Sequence, residues 1–201
     1  VASPSPSSSE ERADAAAELR ERARGLVLDR TVALVGLMGA GKTTVGRRLA
    51  AALDLPFVDA DAEIAVAAGQ TIPEIFEQRG ECEFRRGERQ VIARLLDGAP
   101  HVLATGGGAF IDPRTRALMK EKAISIWLKA PLDVLMKRVS KRDDRPLLKE
   151  DDPRAVMQKL MDERYPIYAE ADLIVESSAG PHNTAAAAIL DALRAYVSAR
   201  A

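Results

Sequence analysis

The stretch GLMGAGKT, Gly36 to Thr43, has the residue types and spacing to hold a polyphosphate. It fits G-x-x-x-x-G-K-[ST] and sits between an apolar run, TVALVG, and a segment of helical character that begins at Lys42. Gly36, Gly39 and Gly41 permit backbone angles that turn several N–H groups inward. Those groups and the helix N-terminus suit phosphate oxygens. Lys42 is spaced to reach the β and γ phosphates, and the Thr43 hydroxyl to ligate Mg²⁺. A dinucleotide fingerprint does not fit, because GAGKTT has Thr44 where that pattern needs glycine.

A second chemical feature is FVDADAEI, residues 57 to 64, in which Asp59 and Asp61 stand one residue apart at the end of an apolar run. Either they are a solvated surface pair or a positive group comes to meet them. Residues i and i+2 of a strand share a face, so both acids can point toward one site. Three further stretches carry chemistry-capable residues: FRRGE (Phe84, Arg85, Arg86, Glu88), TGGG (Thr105 to Gly108) and DDRPLL, with Arg145 in a polar loop. Each has a plain reading as well. Arg85 and Glu88 match an i, i+3 surface pair on a helix. The glycines match a packing device.

These residues need elements to hold them, and the pattern supplies an alternation. TVALVG, PFVD, HVLATG, AISIWLK and DLIVES read as five strands. Helices are expected from Lys42 to about Leu53, in two or three pieces over 61–97, and from about Asn183 to Ala199. Thr71 and Glu74 form a capping box, with Pro73 in the first turn. Asp112-Pro113 and Asp152-Pro153 each read as an N-cap followed by a first-turn proline. Near-uniform apolar strands alternating with helices predict a parallel sheet covered on both faces.

The bulk numbers fit one domain. A length of 201 residues suits a single core. Lys+Arg 29 against Asp+Glu 30 argues against a dedicated nucleic-acid or membrane-surface binder. One cysteine, Cys82, cannot form an internal disulfide. No apolar run approaches the ~20 residues that span a bilayer. The expectation is a soluble, cytoplasmic monomer acting on small molecules. Residues 1–30 are expected to be a disordered Ser/Pro-rich segment followed by an appended helix. Ser9 is its expected N-cap, and Leu19, Ala23 and Leu26 its apolar stripe. The start at Val1 is compatible with a processed or trimmed terminus, and the acids of this helix do not suit a transit peptide.

Taken together the motifs resemble shikimate kinase. The resemblance runs from about Thr31 to the end and rests on GLMGAGKTTVG, FVDADAEI, TIPEIFEQRGECEFRRGE, TGGG, RPLL and ERYPIYAEAD. It implies a P-loop kinase of the nucleoside-monophosphate-kinase type: three α/β/α layers, a five-stranded parallel sheet in the order 2-3-1-4-5, substrate-binding helices at about 60–97 and a mobile lid at about 142–152. The implied reaction moves the γ-phosphoryl of ATP to the 3-hydroxyl of shikimate, on the route to chorismate and aromatic amino acids.

The resemblance also implies roles. Ala40 and Thr44 join the nucleotide site. Lys42 and the lid residue Arg145 face the phosphates, and Arg138 and Pro181 face adenine. Arg85 and Arg164 grip the acceptor's carboxylate, with Glu88 holding Arg85. A forked cation suits such a carboxylate. Asp61 meets a hydroxyl, Gly106, Gly107 and Gly108 let the ligand approach, and Phe76 and Phe84 form an apolar wall. The third strand ends in Thr105 where many P-loop proteins have an acid near Mg²⁺, so Asp59 is the expected supplier beside Thr43. Two other readings remain: another kinase for a carboxylate polyol, such as gluconate kinase, and a non-enzymatic ATP-binding regulator.

Overall fold

Strands that are apolar throughout must be covered on both faces, and β1 (Thr31–Val35) is buried at all five positions. It lies at the centre of a parallel sheet in the computed structural model, which describes residues 8–140, 152–178 and 180–200. The other strands are β2 (Phe57–Asp59), β3 (Val102–Ala104), β4 (Ala123–Lys129) and β5 (Leu173–Glu176). Their order is β2-β3-β1-β4-β5, as expected. The register pairs Asp59 with Ala104 and Ala104 with Leu34, so three strands end level with one another. The loops that leave those ends open onto one place.

Eight helices surround the sheet in the described residues: α1 (Ser8–Ala23), α2 (Lys42–Leu53), α3 (Ala60–Ala68), α4 (Ile72–Leu96), α5 (Pro113–Lys122), α6 (Leu132–Val139), α7 (Pro153–Tyr168) and α8 (His182–Ser198). Their starts follow local chemistry. The Thr71–Glu74 capping box is present, with the Thr71 N–H donating to Glu74 Oε2 at 2.7 Å. Asp112 Oδ1 accepts from the N–H groups of Arg114 and Thr115, and Asp152 Oδ1 from those of Arg154 and Ala155. The region 61–97 holds two helices, the second of 25 residues and bent at Gly80.

α1 packs on α2 and α8, and its Leu19 and Ala23 belong to the main core. Ser9, expected as its cap, is the second residue of the helix rather than the residue before it. A separate small core of Ile64, Ile75, Phe84 and Val91 joins α3 to α4. Residues 1–7, the lid segment 142–151 and Arg145 lie outside the described residues. Among the described residues no helix is long and apolar enough to cross a membrane.

Candidate active site

The Gly36–Thr43 loop joins β1 to α2. Its glycines Gly36, Gly39 and Gly41 take φ of 134, 80 and 98°, the left-handed side that other residues avoid. Gly41 caps α2 and offers no side chain to the first-turn N–H groups, which leaves them for an anion. Lys42 folds back over the loop, its Nζ donating to Gly36 O at 2.7 Å and Leu37 O at 2.9 Å. The Thr43 hydroxyl donates to Asp59 Oδ2 at 3.0 Å.

A cavity of about 510 Å³ opens at the ends of β1, β2 and β3. Of the expected nucleotide residues, Gly39, Gly41, Lys42, Thr43, Thr44 and Arg138 line it. Asp59, Asp61, Gly106 and Gly107 line it too. The two acids reach it by a different route from the one the strand pattern suggests. Asp59 is the last residue of β2 and caps α3, its Oδ1 accepting from the Asp61 N–H at 3.1 Å. Asp61 therefore sits in the first turn of α3 and not on the strand. Aspartate at an N-cap favours this switch from strand to helix.

The acceptor half is assembled from α4, the TGGG loop and α7. Arg85 is held from both sides: Nη1 donates to Glu88 Oε2 at 2.7 Å, while Nε and Nη2 donate to Glu81 Oε1 at 3.3 and 3.1 Å. The guanidinium lies so close to Gly108 that a Cβ there would fall 2.6 Å from Arg85 Cζ. A Cβ on Gly106 would stand 2.8 Å from Asp61 Oδ1 and 2.9 Å from Glu88 Oε1, so both carboxylates converge on that glycine. From α7, Arg164 Nη1 donates to Gly107 O at 3.3 Å, and the Tyr168 hydroxyl donates to the same carbonyl. Thr105 fixes the base of this loop, with both its N–H and its hydroxyl donating to Leu34 O at 3.2 and 3.0 Å.

Electrostatics follow the burial. Glu88 is 2% exposed, and its Oε1 has no hydrogen-bond partner among the described residues. Burial raises its carboxyl above the usual range, the bond from Arg85 opposes this only in part, and Asp61 and Asp112 add to the rise. Burial pulls the Arg85 guanidinium down, but Glu88 and Glu81 outweigh it and the net shift is upward. Burial pushes the Tyr168 phenol up to about 12, so it stays a donor to Gly107.

At the far end, Arg138 donates to Gly39 O, Ala40 O, Ser177 Oγ and Ser178 O, tying the phosphate loop to the segment after β5. Gly180 and His182 line the cavity, whereas Pro181 between them is exposed and outside the lining. His182 has its pKa lowered by burial and by Arg138 and Arg48. Gly36, Ala40, Arg85, Gly108 and Arg164 stand outside the lining, although Arg85 and Arg164 touch its glycine rim. Phe84 is 5% exposed in the α3–α4 core, and its ring lies tilted against that of the exposed Phe76, 4.5 Å between centroids. Glu81 and Tyr168 were missed. Glu81 stands at i−4 from Arg85, a readable spacing. Tyr168 carries no local signal, since it meets Gly107 across 61 residues.

Among the described residues no group of three or more His, Cys, Asp or Glu side chains is arranged to hold a metal. A hydroxyl and a carboxylate 3.0 Å apart, Thr43 and Asp59, nevertheless suit Mg²⁺, which keeps waters and substrate phosphates as its other ligands.

The chain is similar to known proteins along most of its length. The shikimate kinase family model matches residues 38–194. A shikimate kinase of Caulobacter vibrioides (strain NA1000 / CB15N) is 59% identical over 165 residues, 82% of each chain. The structure of shikimate kinase from Acinetobacter baumannii in complex with shikimate superposes with a TM-score of 0.81 at 37% identity, covering 87% of this chain and 98% of that one. A gluconokinase from Sinorhizobium meliloti 1021 reaches a TM-score of 0.58 at 19% identity, covering 86% and 97%, a likeness of fold alone.

Proposed function

This chain belongs to the shikimate kinase family, and we propose that its cavity aligns ATP with shikimate for transfer of the γ-phosphoryl group to the 3-hydroxyl. The observation that carries the residue roles is convergence. Lys42, Thr43, Asp59, Asp61, Gly106 and Gly107 all line one cavity, with Thr43 bonded to Asp59 and Asp61 beside Gly106.

Phosphoryl transfer asks mainly for alignment and for neutralisation of charge on the moving group. The α2 N-terminus and Lys42 bind the phosphates, and Thr43 with Asp59 would hold Mg²⁺. When bound, Mg²⁺ would neutralise phosphate charge. Arg85 and Arg164 hold the carboxylate of shikimate, which fixes the ring. Asp61 orients the 3-hydroxyl. A bond forms between that oxygen and the γ-phosphorus, the bond to the β–γ bridging oxygen breaks, and the hydroxyl proton passes to Asp61. Arg138 and Pro181 flank the adenine, and Phe76 and Phe84 back the acceptor region. Arg145 lies outside the described residues, and its role toward the phosphates rests on the family resemblance.

The test is a coupled assay of ADP release with ATP and Mg²⁺, run with no acceptor, with shikimate and with gluconate. Release that depends on shikimate is expected. Equal turnover with gluconate would favour the carboxylate-polyol alternative, and no acceptor dependence would favour a regulator.

A further inference from the structure

Gly80 bends α4 with φ 77° and ψ 171°, a backbone region that is essentially glycine's alone. The bend has a measurable effect on what surrounds Arg85. Residues eight apart on an unbroken helix are separated by about 12 Å of rise. Phe76 and Phe84 are eight apart, yet their ring centroids lie 4.5 Å from each other. The segment before the bend is therefore folded back toward the segment after it. Ile75 from the first piece and Phe84 and Val91 from the second share one core with Ile64 of α3. Phe84 in turn lies under Arg85, with Cζ 5.1 Å from the ring centroid. Glu81, the first residue past the bend, supplies the second carboxylate that grips Arg85.

We propose that Gly80 is a positioning residue for the acceptor: its bend seats Phe84 and Glu81 so that Arg85 is aimed at the substrate carboxylate. This rests on Arg85 binding that carboxylate. A Cβ on Gly80 would meet no atom within 4 Å, so a methyl group there changes the backbone preference and clashes with nothing. Gly69 offers a matched control on the same pair of helices. It caps α3 at φ 63° and ψ 22°, and a Cβ there also meets nothing within 4 Å.

The experiment measures KM for shikimate and for ATP, together with the melting temperature, in Gly80→Ala, Gly69→Ala and Arg85→Ala. Gly80→Ala is expected to raise the shikimate KM about tenfold and to change the ATP KM by less than about twofold. Gly69→Ala should lower the melting temperature with both KM values unchanged. A Gly80→Ala protein that melts earlier but keeps its shikimate KM would make the bend purely architectural and overturn the assignment. If Arg85→Ala raises the shikimate KM and Gly80→Ala does not, only the role of Gly80 falls. If Arg85→Ala leaves it unchanged, the carboxylate reading falls and takes Gly80 with it. Should Gly80→Ala not fold, Glu81→Gln leaves the bend in place and removes the second carboxylate that the bend brings to Arg85. It is expected to raise the shikimate KM by a smaller factor, and an unchanged value again overturns the assignment.

Discussion

Thr43 and Asp59 are joined by a 3.0 Å hydrogen bond from hydroxyl to carboxylate, which links the first turn of α2 to the end of β2. Asp59 spends its other oxygen on the Asp61 N–H, so one side chain couples the phosphate loop to the start of the acceptor helices.

Asp59→Asn and Asp61→Asn are therefore expected to fail differently. Asparagine keeps the size and one acceptor oxygen while removing the charge. At position 59 the rate should fall and recover in part as Mg²⁺ is raised. At position 61 turnover should stay low at any Mg²⁺ concentration, with ATP binding preserved. Rate against Mg²⁺ at saturating substrates separates them; metal rescue of Asp61→Asn alone would reverse the two roles.

Arg85→Ala and Arg164→Ala should each weaken shikimate binding much more than ATP binding. Removing one partner of a desolvated charged pair costs about 2–5 kcal/mol. Arg85→Ala also strands the nearly buried Glu88, so it should lose stability as well as affinity. Calorimetric titration with shikimate checks both, and normal affinity in either variant removes that arginine from the site.

Removal of residues 1–28 should leave the kinetic constants near their starting values and lower the melting temperature. The residues that line the cavity all lie after residue 37. Leu19, however, is 4% exposed in the main core, and burying such a side chain is worth about 1.5–3 kcal/mol. The backbone carbonyls of Arg22 and Arg24 also accept from Arg194 on α8. Thermal melts alongside steady-state rates test this; lost turnover in a folded truncation would make α1 part of the catalytic unit.

His182 gives a pH prediction of definite sign. Its folded pKa lies below the ordinary 6.5 because burial, Arg138 and Arg48 disfavour the imidazolium. Its contribution to stability is present in full above about pH 6.5 and is lost as pH falls through the lowered value. Denaturation curves across that range for the parent protein and His182→Gln should diverge on the acid side, with the variant losing less. Parallel curves would show that His182 does not titrate with unfolding.

Much of this arrangement can be read before any coordinates. β1 and β4 are legible because burial on both faces forces continuous apolar runs, and the order of the sheet follows from the resemblance. The capping residues Thr71, Asp112 and Asp152 act locally and so are legible too. Errors arise where one residue decides between elements. Asp61 follows an aspartate that can end a strand or cap a helix, and the cap wins. Phe84 reads as a substrate wall by position, and its place in the α3–α4 core depends on the bend at Gly80, which no local pattern announces. Tyr168 and Arg164 converge on the Gly107 carbonyl only through the tertiary fold.

The double anchoring of Thr105 on Leu34 O has a consequence for redesign. The phosphate loop and the TGGG loop leave adjacent strands, β1 and β3, whose separation is set by the backbone ladder at about 4.8 Å. The gauge between donor and acceptor is thus a property of the sheet and not of either loop. A chimera carrying the α3–α4 unit of another polyol kinase should then keep its affinity for ATP while changing the acceptor it accepts. Loss of ATP affinity in a folded chimera would show that the two halves cannot be exchanged as modules.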